Sequence, residues 1–472
     1  MHFSHSLLML LAFLVTPGAI PFTALGMEPG APLSAGEPRS PLLASSLKDA
    51  DWISWEDCIQ IATRNNPSVP AAQEAYDSSD ALVKAAYGAL MPQLTFQAGA
   101  NYGVYLSPIG ALGASGGNAS GGATAATGAE VFSSANQQYS AGIRATQLLF
   151  DGLNSLGQIQ NAYATRNYNQ AAVDLAKVSL SYNLRTGAAN LAYHQHNFEQ
   201  STDILTRQKK NTESVERLFK LGRENLGNLL YQKALVSQYE NQVAHEERQI
   251  ISWSEQLAAI MGIPKRGNLR LKDDPPDPPQ ALLEKKPDYE AIALDHPQRR
   301  EALFQVMEQR AQVRIANSAW FPQISATGLV EKIGSTIQMP SLFWSVGLVI
   351  SYPFFPGDST IYKVKSSYAV LEQYELQLRQ TENQIIQGLA SAYMALKDAA
   401  GLLKVARDYV TGAQARTLIA RKKYQVGLMT FENWTIIEAD LATRILYEIS
   451  ARNTVQLTLA TWEKATGTGT LR

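Results

Sequence analysis

Three short segments of the sequence have residue types that occur in catalytic or metal-binding sites. Residues 113–117 (GASGG) satisfy the G-x-S-x-G pattern of a hydrolase nucleophile, but they lie in a Gly/Ala/Ser-rich stretch rather than between a strand and a helix. His194 and His196 are roughly 200° apart on a helix, so they cannot share a metal ion as an i,i+4 pair does. Residues 273–279 (DDPPDPP) are acidic, but their prolines favour a rigid linker. We therefore expect a protein that is not an enzyme and that binds no cofactor or metal ion.

The composition restricts the class of protein further. The 472 residues include 41 Lys and Arg against 42 Asp and Glu, and this net charge of −1 argues against a nucleic-acid partner, which normally meets a basic surface. A single Cys excludes an intramolecular disulfide and a Cys-built metal site. Charged residues make up only 18%, whereas soluble domains contain about 25%, and Gln, Asn, Ser, Thr, Ala and Gly replace them.

The N-terminus has the pattern of a secretory signal peptide. Residues 7–15 (LLMLLAFLV) form an apolar run too short to span a bilayer, and Pro17 helps to end it, which argues against the alternative of a buried helix. A small-x-small cleavage site predicts a signal peptide over residues 1–26, followed by a flexible leader over 27–53. Cys58 is the single Cys and lies far from this site, so a lipid-anchored N-terminus is excluded. No other apolar stretch reaches about 18 residues, so insertion into a membrane must use β-strands.

Most of the chain after the leader contains one pattern twice. Motifs of residues 54–262 recur in residues 291–467, first at an offset of 230 residues and then, over about 120 residues without a gap, at an offset of 205. The change of offset means that the first copy has 25 additional residues, which lie in the nearly uncharged stretch 107–136. Residues 263–290 are Pro-rich and are predicted to link the copies. Self-similarity of this kind indicates an internal duplication.

Each copy has the same predicted order of helix, strand, loop, strand, very long helix, tight turn and return helix. The short helices cover about 68–90 and 298–320 and stop before a proline. The long helices, about 155–219 and 360–424, contain no Pro, and apolar residues recur in the second at the spacing of a coiled-coil seam. A helix of about 60 residues is roughly 90 Å long. The short helix and the return helix, about 225–261, together have that length, so we expect them to stack end to end, antiparallel to the long helix.

Four segments alternate apolar and polar residues with the period of a strand: about 93–106, 138–150, 323–333 and 344–355. Their length, their single apolar face and their aromatic residues fit strands of a transmembrane barrel, whereas the alternative is an amphipathic sheet packed on a soluble core. Four strands cannot close a barrel, so we expect an oligomer. Three copies would give twelve strands and a conducting barrel, and two would give eight, which side chains fill. The polar residues expected to face water are Thr95, Gln97, Asn101, Ser345 and Ser351.

These motifs and their order resemble the TolC-like outer-membrane factors, the outer membrane efflux protein family. The resemblance covers about residues 54–467 and rests on the Asn-Pro and His-Pro helix starts, the Met-Pro-Gln and Phe-Pro-Gln strand entries, the LLFDG and FFPG strand exits, and an aromatic-x-x-Gly motif at 219–222 and 424–427. It implies a mixed membrane protein: a homotrimer in which a twelve-stranded transmembrane β-barrel in outer-membrane lipid continues into a long antiparallel α-helical coiled-coil tunnel in the periplasm. It also implies two partners, a periplasmic adaptor and an inner-membrane transporter.

The resemblance implies roles for the residues of the two tight turns. Family members with a Val-Gly-Leu sequence bind adaptor hairpins there, and this sequence is present in the second turn. The docking candidates in the two turns are Leu221, Gly222, Val426, Gly427 and Leu428.

The acidic ring that closes the tunnel in family members has no match at its expected positions. The aspartate that often follows the turn glycine by six residues is replaced by Asn433 in the second copy and by Asn228 in the first, and the second acidic position, nine residues after the glycine, is Ile436. Glu432 is adjacent and Asp440 lies seven residues after Asn433 on the same helical face, so a displaced ring at either residue is a hypothesis. Solvated surface charge is the simpler explanation of both acidic residues.

The function predicted from these features is passive, gated exit through the outer membrane, in a tripartite efflux or type I secretion system. Substrates would be delivered by the adaptor and the inner-membrane transporter. The alternative is a periplasmic coiled-coil scaffold or adaptor with a small soluble sheet. A general porin is disfavoured, because porins lack helices of about 60 residues. The sequence does not identify the transported substrate.

Overall fold

The computed structural model of the chain describes residues 52–107, 132–264 and 269–469. The predicted signal peptide, the leader up to Asp51 and the 113–117 motif lie outside the described residues. Within the described ranges, no helix is both long enough and apolar enough to cross a bilayer.

Helices and strands follow one another in the order predicted for the two copies. The helices are α1 (Trp55–Asn65), α2 (Ser68–Tyr87), α3 (Asn154–Lys220), α4 (Leu226–Ile260), α5 (Gln280–Glu284), α6 (Tyr289–Asp295), α7 (Pro297–Ser318), α8 (Ser359–Gln425) and α9 (Phe431–Ala465). The strands are β1 (Trp52–Ile53), β2 (Gln93–Ser107), β3 (Phe132–Phe150), β4 (Arg270–Leu271), β5 (Gln323–Gly334) and β6 (Ser341–Ser351).

Strands β3 and β6 differ in extent from the segments predicted at 138–150 and 344–355. β3 starts earlier because its first residue, Phe132, pairs with Ser107 at the end of β2. β6 ends earlier because Pro353, which has no N–H to donate, follows closely, and the pairing with β5 stops before it. The aromatic residues after this proline continue the period-2 pattern of the sequence, but they lie in the connection to α8.

The long helices of the two copies match in length. α3 and α8 each contain 67 residues, α4 and α9 each contain 35, and the second member of each pair begins 205 residues after the first. A helix of 67 residues is about 100 Å long. The apolar seam by which α8 packs on α9 has the predicted 3–4 spacing and includes Leu389, Ala392, Leu396, Ala399 and Leu403.

Two shorter helices lie end to end along each long helix. This agrees with the prediction that their summed length equals that of the long helix. α2 and α4 both pack on α3, while α7 and α9 both pack on α8. The chain leaves α4 through Gly262, where φ is 72° and a Cβ would lie 2.5 Å from the backbone oxygen of Asn65, just before α2. It leaves α9 through Gly467, where φ is 68° and a Cβ would lie 2.5 Å from Cδ of Pro297 in α7. Only glycine fits both the positive φ and the close approach at these two junctions.

The four long strands form one antiparallel sheet in the order β2-β3-β5-β6. The pairing of β3 with β5 joins the first copy to the second. β2 and β6 are the outer strands, and within the described part of the chain each has one edge without a hydrogen-bonding partner. Such an edge presents unpaired N–H and C=O groups and is a template for pairing with another strand.

One face of this sheet is apolar across all four strands. Directly opposed residues share a face, and one such row consists of Phe96, Ile143, Val330 and Trp344. Phe96 and Trp344 are 72% and 65% exposed, so within the described residues this face is not buried as it would be in a sheet packed on a soluble core. An exposed apolar surface of this kind marks contact with another protein or with lipid. The five polar residues predicted to face water all lie on the opposite face.

Arg185 of α3 connects the two copies with the segment between them. Its side chain is 3% exposed, and its Nε lies 2.9 Å from Oε2 of Glu463 in α9. Its Nη1 donates hydrogen bonds to the carbonyl oxygen of Pro276 at 3.1 Å and to Gln456 at 3.3 Å. Its guanidinium also lies over the ring of Trp55 in α1. The described part of the predicted linker is therefore held against α3 and α9 through a buried charge.

Neutralising Arg185 should destabilise the helical part of the protein. Arg185→Gln leaves the partly buried Glu463 without its cation, and breaking such a pair costs about 3 kcal/mol. We expect a lower apparent midpoint of urea unfolding, measured by far-UV circular dichroism. The control is Arg310→Gln, because the Arg310–Glu375 pair is exposed and contributes at most about 1 kcal/mol. Equal midpoints for the two variants would contradict the role given to Arg185.

Candidate docking and gating site

Both candidate turns end a long helix with the same hydrogen-bonded geometry. Gly222 has a φ of 68° and Gly427 has a φ of 80°. In each turn the N–H of the residue after the glycine donates to a carbonyl oxygen five residues earlier, at 2.9 Å for Arg223 and 2.8 Å for Leu428. This is the Schellman end of a helix, in which the left-handed position favours glycine. The glycine of each aromatic-x-x-Gly motif is therefore a geometric requirement of the turn.

Three apolar side chains at these turns are exposed. Leu221, Val426 and Leu428 are 71%, 66% and 76% exposed. The two turns are neighbours, since Nη2 of Arg223 lies 3.6 Å from the position that a Cβ would take on Gly427. Because hydrogen bonds already fix both turns, little conformational entropy is lost when a partner covers them. The geometry suits the docking role predicted for these residues.

An aromatic cluster lies directly behind the turns. The rings of Tyr424 at the end of α8 and Trp434 in α9 stack with centroids 4.3 Å apart. Phe431 contacts both rings, and it also contacts the ring of Tyr231 in α4 with centroids 6.3 Å apart. Val215 of α3 is fully buried in the same cluster. Phe431 and this cluster therefore pack the helical hairpin α8–α9 against the helical hairpin α3–α4.

Glu224 links the two turns by hydrogen bonds. Its Oε2 accepts from the hydroxyl of Tyr424 at 2.9 Å, and its Oε1 accepts from the side-chain amide of Asn228 at 2.7 Å and from the N–H of Asn225 at 3.1 Å. Burial raises the pKa of Tyr424 and the carboxylate raises it further, so the hydroxyl stays protonated and is the donor. Asn228, a gate candidate from the sequence, thus orients Glu224. The sequence analysis did not predict this role of Glu224. The one feature that points to it in the sequence is an acidic residue two positions after the glycine of the first turn.

The other gate candidates near the start of α9 are open to solvent. Glu432 and Asn433 are exposed in its first turn, and Ile436 is exposed one turn further along. The N–H of Asn433 donates to the hydroxyl of Thr430, which caps the helix, so its side chain is not used for capping. These three side chains are therefore available to face a passage.

Asp440 is surrounded differently, because two arginines lie beside it. Its Oδ1 is 3.2 Å from Nε of Arg444 in the same helix, and its Oδ2 is 3.8 Å from Nη1 of Arg416 in α8. A carboxylate paired on both oxygens has less affinity for a free cation than an unpaired one. This geometry favours a paired surface charge over a displaced acidic ring at Asp440.

Sequence reasoning also missed a buried ion pair between α8 and α9. Glu438 is 5% exposed, and its Oε1 accepts hydrogen bonds from Nη2 and Nε of Arg421 at 2.7 Å and 3.2 Å. Beside Glu438 lies a cavity of about 30 Å³, whose lining includes two buried donors without a hydrogen-bond partner in the described chain, Asn211 Nδ2 and Trp434 Nε1. A polar cavity of this size accommodates one water molecule. The contact between the two hairpins therefore combines the aromatic cluster with polar groups, both at Glu224 and around this cavity.

The motifs that suggest metal chemistry have structural partners. Nδ1 of His194 lies 2.7 Å from Glu246, and Nε2 of His196 lies 3.0 Å from Asp274, so the two imidazoles contact different carboxylates. Asp274 also pairs with Arg452 at 3.0 Å, and the hydrogen bond with His196 lowers the pKa of this carboxyl group. In the part of the chain that the structure describes, no group of His, Cys, Asp or Glu is arranged to hold a metal ion.

Solved outer-membrane channels share this fold. The outer-membrane channel OprN is 17% identical with a TM-score of 0.76, and the match covers 88% of this chain and 90% of OprN. The outer membrane protein VceC from Vibrio cholerae is 16% identical with a TM-score of 0.73, covering 89% and 97%. The open state of the Neisseria gonorrhoeae MtrE outer membrane channel is 19% identical with a TM-score of 0.69, covering 89% of each chain. At these identities the similarity establishes the fold.

A family model matches the sequence of the second copy. Residues 289–468 match the family model of the outer membrane efflux proteins, whereas no protein of curated function matches the chain in sequence. The resemblance to TolC-like outer-membrane factors is thus confirmed. The described chain has the fold of TolC-like outer-membrane channels, and residues 289–468 carry the sequence match to the outer membrane efflux protein family.

Removing the Tyr424 hydroxyl should loosen the turns without disturbing the aromatic stack. Tyr424→Phe removes the hydrogen bond to the Glu224 carboxylate, and such a charged hydrogen bond contributes about 1.5–3 kcal/mol. We expect backbone amides at residues 221–230 to exchange with deuterium roughly tenfold faster or more, measured by mass spectrometry. Tyr231→Phe is the control, because the Tyr231 hydroxyl has no hydrogen-bond partner within the described residues. Unchanged exchange in the Tyr424 variant would show that the hydrogen bond does not hold the turns.

Proposed function

We propose that this chain is the outer-membrane channel of a tripartite efflux or type I secretion system. In this role it gives substrates a passive, gated exit from the periplasm. The observation that carries the proposal is the combination of a four-stranded sheet, with an exposed apolar face and two unpaired edges, and helices of 67 residues. The predicted signal peptide, residues 1–26, would direct export, and the N-terminus would carry no lipid.

The sheet edges support a homotrimer. If β2 of one copy pairs with β6 of the next, every strand edge in the ring finds a partner, and no backbone group is left unpaired in lipid. Three copies then form twelve strands, which enclose a water-filled passage, whereas the eight strands of a dimer would be filled by side chains. The apolar face, including Phe96 and Trp344, meets lipid, and the polar face, including Thr95 and Ser345, meets water.

The helices would continue this passage into the periplasm and close it near the turns. The Tyr424–Glu224 hydrogen bond and the aromatic cluster hold the α8–α9 hairpin against the α3–α4 hairpin. Opening requires these contacts to yield, and the polar cavity beside Glu438 lowers the cost, since its groups can be hydrated when the hairpins separate. Glu432, Asn433 and Ile436 are the side chains that we propose to narrow the closed end.

The exposed turns would dock a periplasmic adaptor. Leu221, Val426 and Leu428 form a rigid apolar surface held by Gly222 and Gly427, and a helical hairpin of a partner can cover such a surface. The adaptor connects the channel to an inner-membrane transporter, which supplies the energy and selects the substrate. The channel itself needs no cofactor for this role.

Cell fractionation and oligomer analysis test the channel. The protein is expected to sediment with outer membranes, to require detergent for extraction and to run as a trimer in a native gel. A soluble periplasmic monomer would contradict the proposal and would favour the alternative of a coiled-coil scaffold without a barrel.

Site-specific crosslinking tests the docking surface. Leu428→Cys places a thiol on the exposed second turn, while the native Cys58 stays unreactive because it is fully buried and burial raises its pKa to about 12. In whole cells, a crosslinker with one maleimide and one amine-reactive group should link the thiol of Leu428→Cys to a lysine of a periplasmic adaptor encoded by the same genome, identified by mass spectrometry. The control is Ile337→Cys, an exposed position between β5 and β6 at the other end of the molecule. Equal capture at both positions, or capture only at Ile337→Cys, would contradict docking at the turns.

A further inference from the structure

Charged side chains are rare in the four long strands, and the pairing register assigns each of them to a face. Across β2, β3, β5 and β6 the charged residues are Arg144, Glu331 and Lys332. Arg144 lies opposite Leu329, two residues before Glu331 on the same strand, so Arg144 and Glu331 share a face. Lys332 lies opposite Ala141 and therefore points to the other, apolar face.

The face that holds Arg144 and Glu331 is otherwise uncharged. Arg144 lies directly between Thr95 on β2 and Leu329 on β5, and Glu331 lies between Gly142 on β3 and Phe343 on β6. Arg144 is exposed and Glu331 is half-buried. In the described residues neither side chain has an ion-pair or hydrogen-bond partner. Two unpaired charges of opposite sign thus project from an otherwise uncharged face.

Their spacing decides how they act together. The two residues are one diagonal step apart on adjacent strands, and their levels along the strands differ by two residues, or about 7 Å. This separation is less than the Debye length of about 10 Å at 0.1 M salt, so salt does not fully screen the two charges from each other. Because the charges have opposite sign, their electric fields in the passage partly cancel. Removing one of them leaves the other uncompensated.

We propose that Arg144 and Glu331 set the charge selectivity of the passage, as two adjacent rings of opposite sign inside the assembled barrel. This inference rests on the proposed channel function and names the residues by which the channel distinguishes small anions from small cations. Arg144 raises the local concentration of anions and Glu331 raises that of cations, because fixed charges act strongly in a water-filled passage with low-dielectric walls. With both present, the channel is only weakly selective.

Lys332 supplies a matched control. It is the neighbour of Glu331 in sequence but lies on the apolar face, one residue before the last paired residues of β5 and β6. A lysine near the end of a lipid-facing strand extends its ammonium group to the membrane surface. Its charge is therefore separated from the passage by the sheet.

The experiment measures reversal potentials of the full-length protein in planar lipid bilayers under a gradient of KCl. Arg144→Gln should shift the potassium-to-chloride permeability ratio toward potassium by roughly twofold at low salt, and Glu331→Gln should shift it toward chloride by a similar factor. The double variant should return close to the wild-type ratio, and Lys332→Gln should leave the ratio unchanged. At about 1 M salt, where the Debye length is about 3 Å, the shifts should disappear.

The outcomes separate this inference from the proposed function. If the wild-type protein forms no channels, the proposed function fails. If channels form but the single variants keep the wild-type ratio, or both shift it in the same direction, the role of Arg144 and Glu331 is refuted while the channel stands. Arg144→Thr is a second neutral variant if glutamine disturbs assembly, since threonine already occupies the same face at Thr95 and Thr146.

Discussion

Each unpaired N–H and C=O group along the free edges of β2 and β6 needs a hydrogen-bond partner. The apolar face beside these edges favours lipid over water, and lipid offers no hydrogen bonds to the backbone. In the proposed channel, both requirements are met when the edges pair with those of other copies of the chain. Assembly in the proposed channel is therefore a consequence of backbone chemistry. In that proposed channel, closure of the sheet turns the polar face and its two charges toward the passage and places the helices below it as a continuation.

The long helices separate this sheet from the turns. All four strands connect to the same ends of the helices, and the turns at Gly222 and Gly427 lie at the other ends of α3 and α8, about 100 Å away along each helix. The turns combine rigid exposed apolar residues with a polar contact behind them. This combination gives a partner a fixed surface to bind and leaves a contact between hairpins whose groups water can satisfy. In the proposed channel, the adaptor would dock on the exposed turns, and the passage would open at the polar contact directly behind them.

The sequence predicts the elements better than their contacts. Hydrophobic period and proline positions predict the long helices and the strand faces, because these depend on local geometry, and the helix lengths predict the end-to-end stacking. The end of β6 was misplaced because aromatic residues after Pro353 continue the strand pattern. The bonds from Glu224 and Glu438 were missed, because they join residues distant in sequence or place an acid on a buried face. The docking roles were inferred from family resemblance, and they stay predictions.

The junctions at Gly262 and Gly467 have a mechanical consequence. α3 and α8 are continuous, so any force on a turn travels along covalent backbone to the strands β3 and β6 that precede these helices. The end of α4 meets the residues just before α2, and the end of α9 meets α7, only by non-covalent contacts. In each copy, one continuous long helix therefore lies beside two shorter helices that are stacked end to end. When α4 or α9 tilts, contacts at the junction beside Gly262 or Gly467 are lost, but no covalent backbone joins it to the helix stacked on it. The half of the helical body near the turns can therefore deform while the half near the sheet keeps its geometry.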